Sequence, residues 1–212
     1  ENAGAGSAEL LGSIPTPTAH IIGLTGPPGV GKSTSTSALI SQFRANDENV
    51  AVLAVDPSST FSKGALLGDR IRMQEHARDP GVFIRSLATR GHLGGLSESI
   101  YSVLKVISAA GFDVIIIETV GVGQSEIEIA KMADTSIVMA APGAGDGIQA
   151  AKAGILEIAD IFAVNKADRP GVDSTMRELR AMLAMAANEP GWVPPVIPTI
   201  AIDGSGFTEL AD

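Results

Sequence analysis

A chain of 212 residues that is 45% hydrophobic can bury one sizeable core but not two comfortable ones, so a single domain is expected. Its formal charge of −9 would repel phosphate backbones and anionic surfaces at long range, which excludes nucleic acid and membrane as natural partners and requires any phosphate ligand to be held locally. The lack of cysteine removes disulfides and thiolate metal sites and is compatible with a cytoplasmic protein.

Residues 1–18 are small and polar, close on IPTPT and read as a flexible leader with neither the basic start nor the apolar stretch of a signal peptide. No apolar run reaches the ~18 residues of a membrane span. From His20 onward, β-branched runs alternate with longer amphipathic stretches. The expected strands are HIIGLT, VAVLAV from 50, VFIRSL from 82, DVIIIE from 113, TSIVMA from 135, IFAVN from 161 and PVIPTIA from 195. Nearly continuous apolar strands separated by helices predict a doubly wound α/β domain over residues 19–212, its mostly parallel sheet buried on both faces. Ligands then belong at the carboxyl ends of the strands. The Pro- and Gly-containing break from Asn188 to Pro195 is read as a loop before the last strand.

Directly after the first strand comes GPPGVGKS, which fits G-x-x-x-x-G-K-[ST] in the required setting of strand before and helix after. The expected phosphate cradle is Gly26, Pro27, Pro28, Gly29, Val30, Gly31, Lys32, Ser33 and Thr34. Its glycines let backbone N–H groups close on phosphate oxygens, and the helix start adds partial positive charge. Lys32 would reach the β- and γ-phosphates, and the Ser33 hydroxyl would ligate Mg2+. The sixth strand ends in NKAD. Asp168 can accept from the two donors on one edge of guanine, a pair that adenine lacks, while Asn165 would brace the loop and the Lys166 stem would lie across the purine. These residues predict GTP and GDP as the bound nucleotides.

The fourth strand delivers Glu118, and Gly121 follows with the spacing of a segment in which an acid holds Mg2+ through water and a glycine amide senses the γ-phosphate. Gln124 is a candidate for orienting the attacking water and equally a polar residue at a helix start. Ser125 and Glu128 fit a capping box, which makes Glu126 and Glu128 helix-entry acids.

In order along the chain, G-P-P-G-V-G-K-S, V-D-P-S-S, G-D-R-I-R-M, R-G-H-L-G-G, E-T-V-G-V-G-Q-S-E and N-K-A-D resemble the MeaB/MMAA family of P-loop GTPases, over roughly residues 20 to 212. That resemblance implies the SIMIBI-type P-loop fold, whose third nucleotide motif carries a glutamate where Glu118 stands. It implies a GTP-hydrolysing chaperone that gates adenosylcobalamin loading onto, and protection of, a methylmalonyl-CoA mutase type of enzyme. An older label for such chains is lysine/arginine/ornithine transport kinase. By the same resemblance Asp56 and Asp69 join Ser33 and Glu118 around Mg2+; taken alone, Asp56 before Pro57 also suits a turn and Asp69 a helix cap. Residues 143–157 resemble the family's switch III, with Asp146, Lys152 and Glu157 at the matching positions, although Asp146 and Gln149 also fit a capping box. TIAIDGSG resembles the loop whose backbone touches guanine, which puts Ala201 at the base.

His92 reads as a surface histidine in a Gly-rich loop and Trp192 as a loop anchor packed against the domain. Arg70, Arg72, Arg85 and Arg90 are the chain's own candidates for an arginine finger. Family members carry helical extensions, the C-terminal one building a homodimer, and this sequence contains almost none of either, so a homodimer by that route is an expectation these residues do not themselves support. Two other functions fit a fold of this class. One is a metallochaperone for nickel or zinc, which the lack of cysteines and of a His-rich tract disfavours, and the other is a protein kinase linked to amino-acid transport.

Overall fold

Each of the seven expected runs contains a strand in the computed structural model, the last shortened from PVIPTIA to VIPT, and the model describes residues 12–14, 18–56, 74–88, 93–119, 127, 130–143, 157–186 and 192–212. The strands are β1 (His20–Thr25), β2 (Val50–Asp56), β3 (Val82–Ala88), β4 (Val114–Thr119), β5 (Thr135–Ala140), β6 (Ile161–Asn165) and β7 (Val196–Thr199). Helices α1 (Lys32–Ala45), α2 (Leu93–Ala109), α3 (Val172–Ala186) and α4 (Phe207–Ala211) connect and cover them. The sheet runs β3-β2-β4-β1-β5-β6-β7, and every strand pair is parallel. The leader at residues 1–11 and 15–17 lies outside the described residues.

Strand alternation divides the core into two faces. Ile22, Leu24, Val52, Val114, Ile116 and Ile137 turn to one side, where Leu39, Ile40 and Phe43 of α1 and Phe207 and Leu210 of α4 meet them. Ile21, Leu53, Ile115 and Ile117 turn to the other, against Ile100, Leu104 and Ile107 of α2. Val138, Phe162 and Val164 pack there against Met176, Leu179 and Leu183 of α3. Burial on both faces is why the central strands read as unbroken apolar runs instead of alternating ones. At the opposite edge from the strand ends, three carboxylates close the ladder. Asp113 accepts from the Asn49 N–H, Asp134 from Ile21 and Asp160 from Ser136, each at 2.7–2.8 Å.

Helix α1 is unusual in being built from KSTSTS at its start, yet Ser35 and Thr36 are wholly buried. Serine and threonine are indifferent helix formers, so packing and the loop that feeds it must hold this turn. Its far end is pinned by Arg44, whose Nε donates to Asp79 at 2.9 Å and whose Nη1 donates to the Glu48 carbonyl at 2.8 Å. The Arg44 hydrogen bond, helped by the Gly81 N–H, holds the Asp79 carboxyl below its ordinary range. A carboxyl lowered by folding contributes stability above its unfolded pKa and loses it as pH falls through the folded one. Urea midpoints of the wild type and of Asp79→Asn should therefore differ at neutral pH and converge in strong acid.

Trp192 departs from the expected packed anchor. Its ring is 73% exposed, and it is fixed by one hydrogen bond from its indole N–H to the Asp160 carbonyl at 2.9 Å. Among the described residues no helix is long and apolar enough to cross a membrane.

Candidate functional site

The chain reverses its direction of travel across the sheet at β1, which has β4 on one side and β5 on the other. A crevice opens at such a switch point beyond the carboxyl ends of the strands, and the loop of residues 26–31 leaves β1 there. Gly26 has φ 145°, and a Cβ at that position would stand 2.5 Å from the Met139 carbonyl oxygen. Gly31 has φ 99° and caps α1 without any side-chain bond to the helix amides. A serine or aspartate cap would occupy those amides, and glycine leaves them for an anion. The first α1 amide with a carbonyl one turn back is that of Ser35, bonded to Gly31 O at 2.9 Å. Thr34 is exposed at the helix start, and Pro28 and Gly29 are exposed at the loop tip.

Lys32 is 8% exposed, and its Nζ donates to Gly26 O at 2.5 Å and to Pro27 O at 3.1 Å. The ammonium thus spans the loop from within. Period two on β4 places Glu118 on the same face as Val114 and Ile116, beneath α1. There its Oε1 accepts from Ser33 Oγ at 2.6 Å and its Oε2 from Thr36 Oγ1 at 2.9 Å. Glu118 is 1% exposed, so its bonds to Ser33 and Thr36 are buried contacts. Thr36 was not anticipated. No sequence signal singles it out, since its neighbours in KSTSTS carry hydroxyls as well.

The loop at Ala201 is joined to the loop after β1 through Asn165, which is 3% exposed. Its Nδ2 donates to Val30 O at 2.8 Å, and its Oδ1 accepts from the Ala201 N–H at 3.0 Å. Ala201 therefore stands beside Asn165 with its amide engaged. A Cβ on Gly31 would fall on Asn165 Nδ2. Lys166 takes φ 61°, sparsely populated for a residue with a side chain, and its Nζ reaches Gly29 O at 2.5 Å. Asp168 is exposed two residues further on, at the rim. The Ala201 loop is itself locked. Asp203 accepts from the Ser205 N–H at 2.9 Å, which lowers its pKa, and Gly206 at φ 79° sits where a Cβ would strike Pro198 O.

Asp56 ends β2, two residues past the Ala54 that pairs with Glu118, which puts its backbone at the same sheet edge. Its side chain, together with Asp69, Gly121, Gln124, Asp146, Lys152, His92, Arg70, Arg72 and Arg90, lies outside the described residues. Glu157 is an exposed turn residue. Arg85 is exposed in the middle of β3, three strands from β1, or about 14 Å across the sheet, and is not brought to the phosphate loop.

Over residues 4–212 the chain matches the family described as methylmalonyl Co-A mutase-associated GTPase MeaB. A Pyrococcus horikoshii relative bearing a GTPase name is 55% identical over 198 residues, 92% of this chain and 62% of that one. The mitochondrial methylmalonic aciduria type A homolog of Mus musculus is 38% identical over 200 residues, 92% of this chain and 48% of its own. Among solved structures, a crystal structure of LAO/AO transport system kinase is 31% identical with a TM-score of 0.75, covering 96% of this chain and 61% of that one. The chain spans between 48% and 62% of the length of these relatives. By fold it is an α/β P-loop NTPase, and by sequence it belongs to the MeaB family of methylmalonyl-CoA mutase-associated GTPases.

Proposed function

We propose that this chain binds GTP with Mg2+, hydrolyses the γ-phosphate, and uses its nucleotide state to gate adenosylcobalamin loading and protection on a methylmalonyl-CoA mutase type of enzyme in the cytoplasm. The observation that carries the reading is the Asn165 side chain, which ties the phosphate loop at Val30 to the base loop at Ala201. A frame braced in this way fixes the distance between a purine and its phosphate tail, which is what nucleotide recognition requires.

The oxygen donors fit Mg2+, a hard cation that takes few protein ligands and keeps several waters. Ser33 gives its proton to Glu118, so the Ser33 lone pairs remain available to a cation. Ser33 would hold the ion directly and Glu118 through water, with Asp56 and Asp69 assisting. When bound, Mg2+ would supply positive charge that offsets the negative charge developing on the transferring phosphate. Lys32 would exchange its loop carbonyls for phosphate oxygens, and the uncapped α1 amides would receive the rest of the tail. Gly121 would sense the γ-phosphate, Gln124 would orient the attacking water, and Asp146, Lys152 and Glu157 would report the nucleotide state to the mutase.

Arg85 stands away from the phosphate loop, which leaves Arg70, Arg72, Arg90 and the partner as candidates for the arginine finger. Phosphate release should be slow for the protein alone and rise by at least about tenfold with an adenosylcobalamin-dependent mutase present. Equal rates with and without mutase would count against the chaperone role while leaving GTP hydrolysis standing.

A further inference from the structure

We propose that Thr36 is a positioning residue that holds the Glu118 carboxylate in the orientation needed for Mg2+, an inference that rests on the reading of this site as one for Mg2+ and GTP. Thr36 is wholly buried, and its Oγ1 lies 2.9 Å from Glu118 Oε2 and 3.1 Å from the Lys32 carbonyl one turn back. A hydroxyl has one proton and serves one of these acceptors at a time. A bond to a carboxylate is about twice as strong as one to a neutral carbonyl. The Lys32 carbonyl is also the regular acceptor for an amide one turn on in α1, so the Thr36 proton goes to Glu118.

Ser33 and Thr36 are three apart on a helix and share a face, and each holds a different oxygen of the same carboxylate. A bond at one oxygen restrains the carboxylate less than a bond at each. Two bonds fix its plane. The hydroxyl of Ser33 then keeps its proton directed at Glu118 and its lone pairs directed elsewhere, as direct coordination of a cation requires. Thr36 touches neither nucleotide nor ion in this scheme and acts only through Glu118.

The test is stopped-flow release of a fluorescent GDP analogue from the full 212-residue chain, in EDTA and across a MgCl2 titration, for wild type, Thr36→Val, Thr36→Ala and Thr36→Ser. Valine keeps the shape and removes the hydroxyl, and serine keeps the hydroxyl. In EDTA the release rates of all four should agree within about twofold, because the base and phosphate contacts are untouched. The MgCl2 concentration that half-slows release should rise about tenfold in Thr36→Val and Thr36→Ala and stay within about twofold of wild type in Thr36→Ser. A wild-type Mg2+ midpoint in the valine variant, or an equal shift in valine and serine variants, overturns the proposal. If the valine variant does not fold, the alanine and serine variants carry the same comparison. Wild-type release that is indifferent to Mg2+ overturns the underlying Mg2+ reading as well, which separates the two failures.

Discussion

Replacing Asn165 by alanine is expected to destabilise the protein by about 2–6 kcal/mol, since it leaves two backbone groups without their side-chain partner at about 1–3 kcal/mol each. The groups are the Val30 carbonyl and the Ala201 N–H, held at 2.8 and 3.0 Å by a side chain that is 3% exposed. The same change removes the brace between phosphate loop and base loop, so GTP affinity should fall by at least about 100-fold. Asn165→Asp separates the two bonds. It keeps an acceptor for Ala201 but sets an oxygen against the Val30 oxygen, and should be as damaging as alanine. Urea denaturation followed by circular dichroism and nucleotide titration of whatever remains folded would check both effects. A variant with the wild-type urea midpoint and wild-type affinity would show that the brace is dispensable.

The strands were legible because burial on both faces leaves a simple mark, a run of β-branched residues, and each of the seven runs contains a strand in the structure. The phosphate loop was legible for a different reason. Positive φ at Gly26, Gly29 and Gly31 and a lysine aimed back across the loop constrain residue type at fixed spacing. Glu118 belongs to the same class, since its place at a strand end with an even offset from Val114 and Ile116 determines the face it occupies. Thr36 carried no such mark. In KSTSTS every residue after the lysine carries a hydroxyl, and nothing in the pattern distinguishes the exposed Thr34 from the buried Thr36. Trp192 misled because its bulk suggests burial, whereas its indole N–H finds a carbonyl at the rim while the ring stays in solvent. For Ala201, position in the loop was readable but the use of its amide was not, since that depends on where Asn165 points.

Lys32→Ala should lower kcat/KM for GTP hydrolysis by about 10²–10³-fold, the scale typical of losing one preorganised charged donor at a reacting centre. The ammonium sits among the Gly26 and Pro27 carbonyls and is largely shielded from water, so its charge acts at low effective dielectric. Its location also predicts which ligands are affected. Lys32 lies against the Gly26 and Pro27 carbonyls of the phosphate loop, so the affinity loss should be large for GTP, smaller for GDP and absent for guanosine. A uniform loss across the three would mean that the substitution disrupts the whole loop instead of removing one phosphate contact. The thermal midpoint without nucleotide is the companion measurement, because collapse of the loop would lower it.

The proposed function depends on guanosine triphosphate seated across the carboxyl edge of the sheet, with Asp168 choosing the base. Isothermal titration of the chain with GTP and with ATP, each in excess MgCl2, addresses this directly. GTP should bind at least about 100-fold more tightly than ATP, because adenine leaves the paired acceptors of Asp168 without donors. Equal or tighter binding of ATP, or no measurable binding of either, would contradict it.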